Sequence, residues 1–247
     1  MEDKIMSHSV VSSEEWLSAR RELLVKEKEL TRARDRLNEA RRALPWEKVT
    51  KDYIFDAPSG PKSLGELFDG RSQLIVYHFM LAPDWEEGCV GCSFLADHVD
   101  GALAHIRQAD ANFAAVSRAP LSKIEEYKKR MGWKFPWVSA EGSDFDYDYQ
   151  ASFRDEDVAN GTLNYNYRDI PAMGDLKDLH GTSVFAKNDT GEIFHTYSSY
   201  ARGAEQTIST LMWLDLLPKG RNEEGTMNWV RRHDQYEDAP KAASCCH

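Results

Sequence analysis

The chain has 247 residues, 41 % hydrophobic and 29 % charged, with a formal net charge of −10 at pH 7. That is enough apolar material for one good-sized globular domain with an appendage, or for two small domains. The acidic balance speaks against a nucleic-acid-binding groove, and no apolar run reaches the ~20 residues of a membrane-spanning helix.

The stretch MEDKIMSHSVVSSEEW lacks the apolar segment of a secretory signal. The expected compartment is cytoplasmic, where structural disulfides are rare. Residues 12–44 read as one long helix, with Ser12 and Glu15 at capping-box spacing and Pro45 as its stop. Trp16, Leu23, Leu30, Leu37 and Leu44 recur every seven residues, while Ala19, Ala33 and Ala40 form a second row that Lys26 interrupts. This narrow apolar seam on a charged helix has two readings: burial along the helix's own domain, or an arm that forms a homodimer. Arg32, Arg34, Arg36, Arg41 and Arg42 alternate with Asp35 and Glu39, a salt-bridged face rather than a phosphate-binding stripe.

After Pro45 the periodicity changes. DYIF (52–55) reads as a short strand, APSGP (57–61) as a turn, and Ser63 as the cap of a short helix, LGELF. The continuous apolar run QLIVYHFM (73–80) predicts a buried strand. CSFLADHVDGALAHIRQAD (92–110) has helical spacing, ANFAAVS (111–117) reads as a second core strand, LSKIEEYKKRMG (121–132) as a helix closed by Gly132, and FPWVSA (135–140) as a short strand. Residues 143–170, rich in tyrosine and aspartate and without a period, predict an irregular insertion spanning about 143–175. TSVFAKN (182–188) and EIFHTYSS (192–199) form a hairpin across NDTG, and 203–216 reads as a helix. Three parts follow: a helical arm (1–45), a main domain (46–218) and a polar C-terminal tail (219–247), the tail expected to be disordered.

Within DWEEGCVGCSFLADHVDG, Cys89 and Cys92 are separated by two residues. In a cytosolic chain this spacing points to redox or metal chemistry before a structural bridge. Residues three apart on a helix share a face. A first cysteine at the helix start meets unsatisfied N–H groups that favour thiolate. Cys89 is thus the expected attacking thiolate and Cys92 the buried resolving thiol. Asp84, Glu86 and Glu87 just upstream oppose a lowered pKa, so the net sign stays open. Trp85 either walls this site or covers the core edge.

The element order, a strand leading into Cys-x-x-Cys at a helix start followed by strand, helix, hairpin and helix, is the thioredoxin plan. A helix before the second strand and an extra N-terminal strand suit its peroxiredoxin-like variant, a three-layer α/β/α sandwich. The stretches EEWLSARRELLVKEKELTRARD, ALPWEKVTKDYIFD, LFDGRSQLIVYHFM, DWEEGCVGCSFLADHVDG, HTYSSYARG and MNWVRRHDQY resemble the thioredoxin-like domain-of-unknown-function family numbered 899. Its members are often labelled predicted dithiol-disulfide oxidoreductases. The resemblance implies a thioredoxin-like fold and an inferred redox role, with no substrate.

Two features depart from related families. Thioredoxins place a cis-proline before the hairpin strand, and here Thr182 is expected at that position, with His180 two residues away. Cys89, Cys92 and His180 would then supply three ligands for zinc or another thiophilic metal. In the peroxiredoxin pattern Pro-x-x-x-Thr-x-x-Cys, the proline and threonine positions hold Ala82 and Glu86. Arg118, after the second core strand, either stabilises a thiolate or is a surface arginine.

His78 in its apolar strand reads as a satisfied core histidine, and His98 and His105 as partly exposed. His195, Tyr197, Tyr200 and Arg202 either line a pocket near the hairpin or close it by packing. Cys245 and Cys246, next to His247, are poorly placed to bridge each other. They could relay electrons or bind metal, or stand exposed in the tail. No phosphate-cradling glycine loop or Gly-x-Ser-x-Gly elbow is present. The leading expectation is a thiol-disulfide oxidoreductase acting on an unknown thiol or disulfide substrate without a cofactor. The alternatives are a non-enzymatic metal- or ligand-binding protein and a thiol peroxidase.

Overall fold

The computed structural model describes residues 8–237, so Cys245, Cys246 and His247 lie outside the described residues. The chain divides into two compact units, one formed by the N-terminal segment up to Pro45 with Trp213–Asn222, the other by Trp46–Met212 with the segment from Glu223 onward.

In the first unit, α1 (Ser13–Arg42) is a single helix of 30 residues. Its capping box is formed: Ser12 N–H donates to Glu15 Oε2 at 2.9 Å and Glu15 N–H to Ser12 Oγ at 3.2 Å. No residue of α1 is buried, and Trp16, Leu23, Leu30 and Leu37 are 50–58 % exposed. Uninterrupted helix-forming residues, the cap and ion pairs such as Arg20–Glu27 at 2.8 Å support the helix.

The second unit contains, in chain order, β1 (Glu47–Lys48), β2 (Ile54–Phe55), β3 (Lys62–Ser63), β4 (Gln73–His78), α2 (Val90–Ala96), α3 (Asp100–Gln108), β5 (Ala111–Ser117), α4 (Leu121–Met131) and β6 (Trp137–Ser139). It continues through α5 (Phe145–Asp148), α6 (Asp155–Ala159), β7 (Thr162–Tyr165), β8 (Arg168–Pro171), β9 (Gly181–Lys187) and β10 (Ile193–Tyr200) into the start of α7 (Ser209–Leu214). The main sheet has the order β1-β10-β9-β4-β5-β6. β5 runs parallel to β4 and to β6, whereas β9 pairs antiparallel with β4 and with β10. Three parallel strands joined through helices, continued by an antiparallel hairpin, make a thioredoxin-like sheet.

Strand side chains alternate between faces, and β4 shows what that does. Leu74 and Val76 enter one core with Phe55, Phe68, Phe145 and Phe185. Ile75, Tyr77 and then Phe79 enter the other with Leu95, Ile124, Trp137 and Leu211. Helices α2, α3, α4 and the start of α7 cover one face, and the β2–β3 hairpin, the 3-10 turn Glu66–Phe68 and the short α5 cover the other, giving three layers. The continuous apolar run in β4 is the consequence of burial on both sides.

Three expectations are corrected here. The predicted helix over 92–110 is two helices: between them the backbone bonds tighten to the i→i+3 pattern, His98 N–H to Leu95 O at 3.0 Å and Val99 N–H to Ala96 O at 3.1 Å, and two acids at this join bond elsewhere. Asp97 Oδ1 accepts from Trp133 Nε1 at 2.8 Å, and Asp100 accepts the N–H groups of Lys134 and Phe135 at 2.8 and 2.9 Å. The stretch read as an irregular insertion holds α5, α6 and the β7–β8 hairpin. That hairpin turns at Asn166 and Tyr167, both with positive φ (55° and 61°), over a small core of Phe153, Leu163, Tyr165, Leu179 and Tyr200. Its elements are four or five residues long, too short to show a period. Finally, the tail read as disordered returns to the second unit: Val230 is 3 % exposed and the Trp229 ring meets Phe94 at 5.9 Å. Two apolar anchors suffice to hold a segment whose average composition is polar.

Candidate thiol active site

β4 delivers the chain to a loop that turns back into α2, and Cys89 stands at its N-cap. Its N–H donates to Met80 O at 3.0 Å, which ties the start of the helix to the end of the strand. The preceding Gly88 is required by space: a Cβ there would lie 2.7 Å from the rings of Phe79 and Tyr127.

The two thiols are free and unlike. Cys89 is partly exposed. The Cys92 thiol hydrogen-bonds to its sulfur, and the backbone N–H groups of Cys92 and Gly91 add to this. Against the opposing effect of burial, and with a smaller contribution from the charge of Arg232, these donors hold Cys89 down to about 6. Cys92 is 1 % exposed, and burial, together with its bond to Cys89 and that neighbour's charge, pushes it well above the ordinary thiol value. Tyr77 OH hydrogen-bonds to the Cys92 sulfur, which partly offsets that rise.

The upstream acids do not counter this. Glu87 is held by Arg130 and by Arg232, the latter at 2.8 Å. Arg232 also donates to Gly88 O at 2.6 Å and to Tyr127 OH at 2.9 Å, and Tyr127 OH meets Ser93 Oγ at 2.8 Å. Glu86 points to solvent, its side chain 92 % exposed and 3.8 Å from Lys123.

Beside the sulfurs lies a pocket of about 270 Å³, walled by Tyr77, Leu95, Ile208 and Met227 and including Cys89, Cys92 and His180. Burial pushes the His180 imidazole below its ordinary pKa, so it is neutral at pH 7, and its Nδ1 has no hydrogen-bond partner.

Over residues 5–236 the chain matches the family described as bacterial protein of unknown function (DUF899). It belongs to that family. No curated protein matches. Among solved structures, the chain is similar to a mutant of PrxQ from Xylella fastidiosa, at 14 % identity and TM-score 0.41, over 65 % of this chain and 88 % of that one. It is also similar to the peroxidoxin BcpB from Mycobacterium tuberculosis, at 14 % identity and TM-score 0.40, over 69 % and 97 %. For this DUF899 chain the fold stands on the strand order above.

The remaining predicted site residues separate. Of these, only His180 joins the cysteines. Thr182 sits in register opposite Tyr77 and Ser199 within the sheet and does not wall the pocket, so His180 is the residue that faces the thiols from this side. Arg118 is neither a thiolate partner nor a plain surface residue. It makes two 2.7 Å bonds to Asp178 and one of 2.8 Å to Tyr147 OH. With Trp85, Asp84, Arg154 and Lys177 it lines a separate polar cleft of about 720 Å³. Among the described residues no group of three His, Cys, Asp or Glu side chains is arranged to hold a metal ion, and no helix is long and apolar enough to cross a membrane.

Sequence reasoning missed Tyr77, Tyr127, Met227 and Arg232 in this DUF899 site. Tyr77 was hidden in an apolar run, where a hydroxyl is the one signal available. Arg232 and Met227 lie in MNWVRR, a stretch that carried family resemblance but no chemical pattern.

Proposed function

We propose that this protein is a thiol–disulfide oxidoreductase in which Cys89 attacks and Cys92 resolves. The observation that carries it is the placement of two free thiols on one turn of helix, Cys89 partly exposed at the N-cap and Cys92 buried behind it, an arrangement that favours thiolate at the first and thiol at the second. At neutral pH Cys89 is mainly thiolate. It attacks one sulfur of a substrate disulfide, forms a mixed disulfide and expels the other sulfur as thiolate.

That step changes Cys92. Two of the influences that raise it, the bond to Cys89 and the Cys89 charge, vanish once Cys89 is bonded to substrate. Tyr77 OH continues to donate to the Cys92 sulfur. Cys92 then loses its proton to the expelled thiolate or to water, attacks the Cys89 sulfur and releases the second substrate thiol. The protein ends with a Cys89–Cys92 disulfide and the substrate with two thiols. A dithiol reductant reverses the protein half.

The test is a redox titration in defined thiol–disulfide buffers, read by alkylation and mass spectrometry. A reversible two-electron disulfide between Cys89 and Cys92 is expected with a midpoint within roughly −120 to −320 mV, the span of known thiol–disulfide proteins and buffers. Two thiols that stay reduced throughout that span would overturn the proposal.

A further inference from the structure

We infer that the molecule reduced at Cys89 is a small, uncharged, apolar disulfide rather than a protein disulfide or a charged peptide disulfide. This rests on the oxidoreductase reading above and assigns its substrate class. Three observations carry it.

The first is the pocket. At about 270 Å³ it lies just under the usual range for small-ligand sites, and its walls beside the sulfurs are Tyr77, Leu95, Ala204, Ile208 and Met227. It has room for short alkyl arms on a disulfide and no room for a folded chain.

The second is charge. The ionic groups at this pocket are Arg202 and Glu205, which pair with each other. His180 is neutral by burial. The opposite charges of Arg202 and Glu205 offset each other and Arg202 lies largely in solvent, so the apolar interior beside the sulfurs holds no buried ionic partner for a carboxylate or ammonium group, and taking such a group out of water unpaired is costly.

The third is the segment that returns from the C-terminal side. Met227 Cε lies 3.5 Å from the place a Cβ on Gly91 would occupy. The segment is pinned by buried Val230, by Trp229 on Phe94 and by Arg232 on Gly88 O. It covers the surface beside Gly91, so a polypeptide laid across this side of Cys-x-x-Cys would meet Met227.

The chemistry balances as above: one dialkyl disulfide and the reduced protein give two alkyl thiols and the Cys89–Cys92 disulfide, and dithiothreitol restores the thiols. The test uses the full chain, reduced and freed of reductant, in single-turnover mixing with dipropyl disulfide or with oxidised glutathione. Each rate is divided by that of dithiothreitol with the same disulfide, which removes intrinsic reactivity. A normalised preference for dipropyl disulfide of about tenfold or more is expected, the scale on which apolar pockets discriminate. Ala204→Phe, which fills the pocket, should cut the dipropyl disulfide rate by a similar factor. An equal or greater normalised rate with oxidised glutathione overturns the substrate assignment while leaving the oxidoreductase reading standing. Failure of both probes to produce the Cys89–Cys92 disulfide overturns both.

Discussion

Tyr77 and His78 are neighbours on β4 and face opposite sides of the sheet. On one side, Tyr77 meets Cys92 beside a pocket that opens next to the partly exposed Cys89 sulfur. On the other, His78 is 2 % exposed and both its nitrogens are bonded, Nδ1 to Asp146 Oδ1 at 2.7 Å and Nε2 to Ser183 Oγ at 2.9 Å. The chain of bonds continues to Ser198 at 2.8 Å and from Ser198 to His195 at 2.7 Å. On paper the second side has the more familiar catalytic alignment, an acid, a histidine and a serine. Ser183 is fully buried, however, and does not line the cavities described here, so no substrate carbonyl can reach it. Access, and a free thiol where the other side has a fully bonded serine, separate the two sides, rather than residue type.

The comparison breaks first at the nucleophiles. Cys89→Ser should abolish disulfide exchange, and Cys92→Ser should leave a mixed disulfide on Cys89 that mass spectrometry detects. Ser183→Ala should leave the exchange rate unchanged. If Ser183→Ala abolished exchange in folded protein, the two sides would have been assigned the wrong roles.

The pH profile sharpens it next. A thiol reacts as thiolate, so alkylation of Cys89 should rise with pH through about 6 and level off well before the ordinary thiol value of 9.0. The sign is fixed by stabilisation of the charged form, since hydrogen-bond donors to the sulfur lower the pKa. A rate still climbing between pH 8 and 9 would contradict the placement of those donors.

On the buried side the effect is on stability. Asp146→Ala leaves His78 Nδ1 without a partner in the core, at a cost on the order of 1–3 kcal/mol. Urea denaturation should show the lower midpoint, with the Cys89 alkylation profile unmoved. An alkylation midpoint that shifted in this variant would mean the two faces are coupled.

How far these two sides could be read in sequence depends on what held them. β4 and β5 were legible because burial on both faces writes an unbroken apolar run, and α4 because burial on one face writes a helical period. The cysteine pair was legible because its spacing is local too. His78 was readable as a core histidine, but its partner Asp146 sits 68 residues away in a stretch without a period. The thiol site fails in the same manner: Tyr77 was visible as a strand residue, but its bond to Cys92 depends on the strand-to-helix turn. Arg232 reaches Gly88 across 144 residues, and nothing local marks a polar tail as part of a site.

That arginine gives the smallest predicted effect. Arg232 is the one cation among the leading influences on Cys89, and it ranks below the hydrogen bonds to the sulfur. Arg232→Met keeps much of the side chain's apolar stem while removing the charge and the bonds to Gly88 O and Tyr127 OH. The Cys89 midpoint should move upward, slowing alkylation at pH 6 by about twofold, while the rate at pH 8 changes little because the thiolate is already formed there. Loss at both pH values alike would mean that Arg232 acts by holding the returning segment in place, not by its charge on the sulfur. Arg232→Lys separates these directly: restored reactivity at pH 6 requires charge alone, whereas the two-point clamp on Gly88 and Tyr127 requires the guanidinium fork.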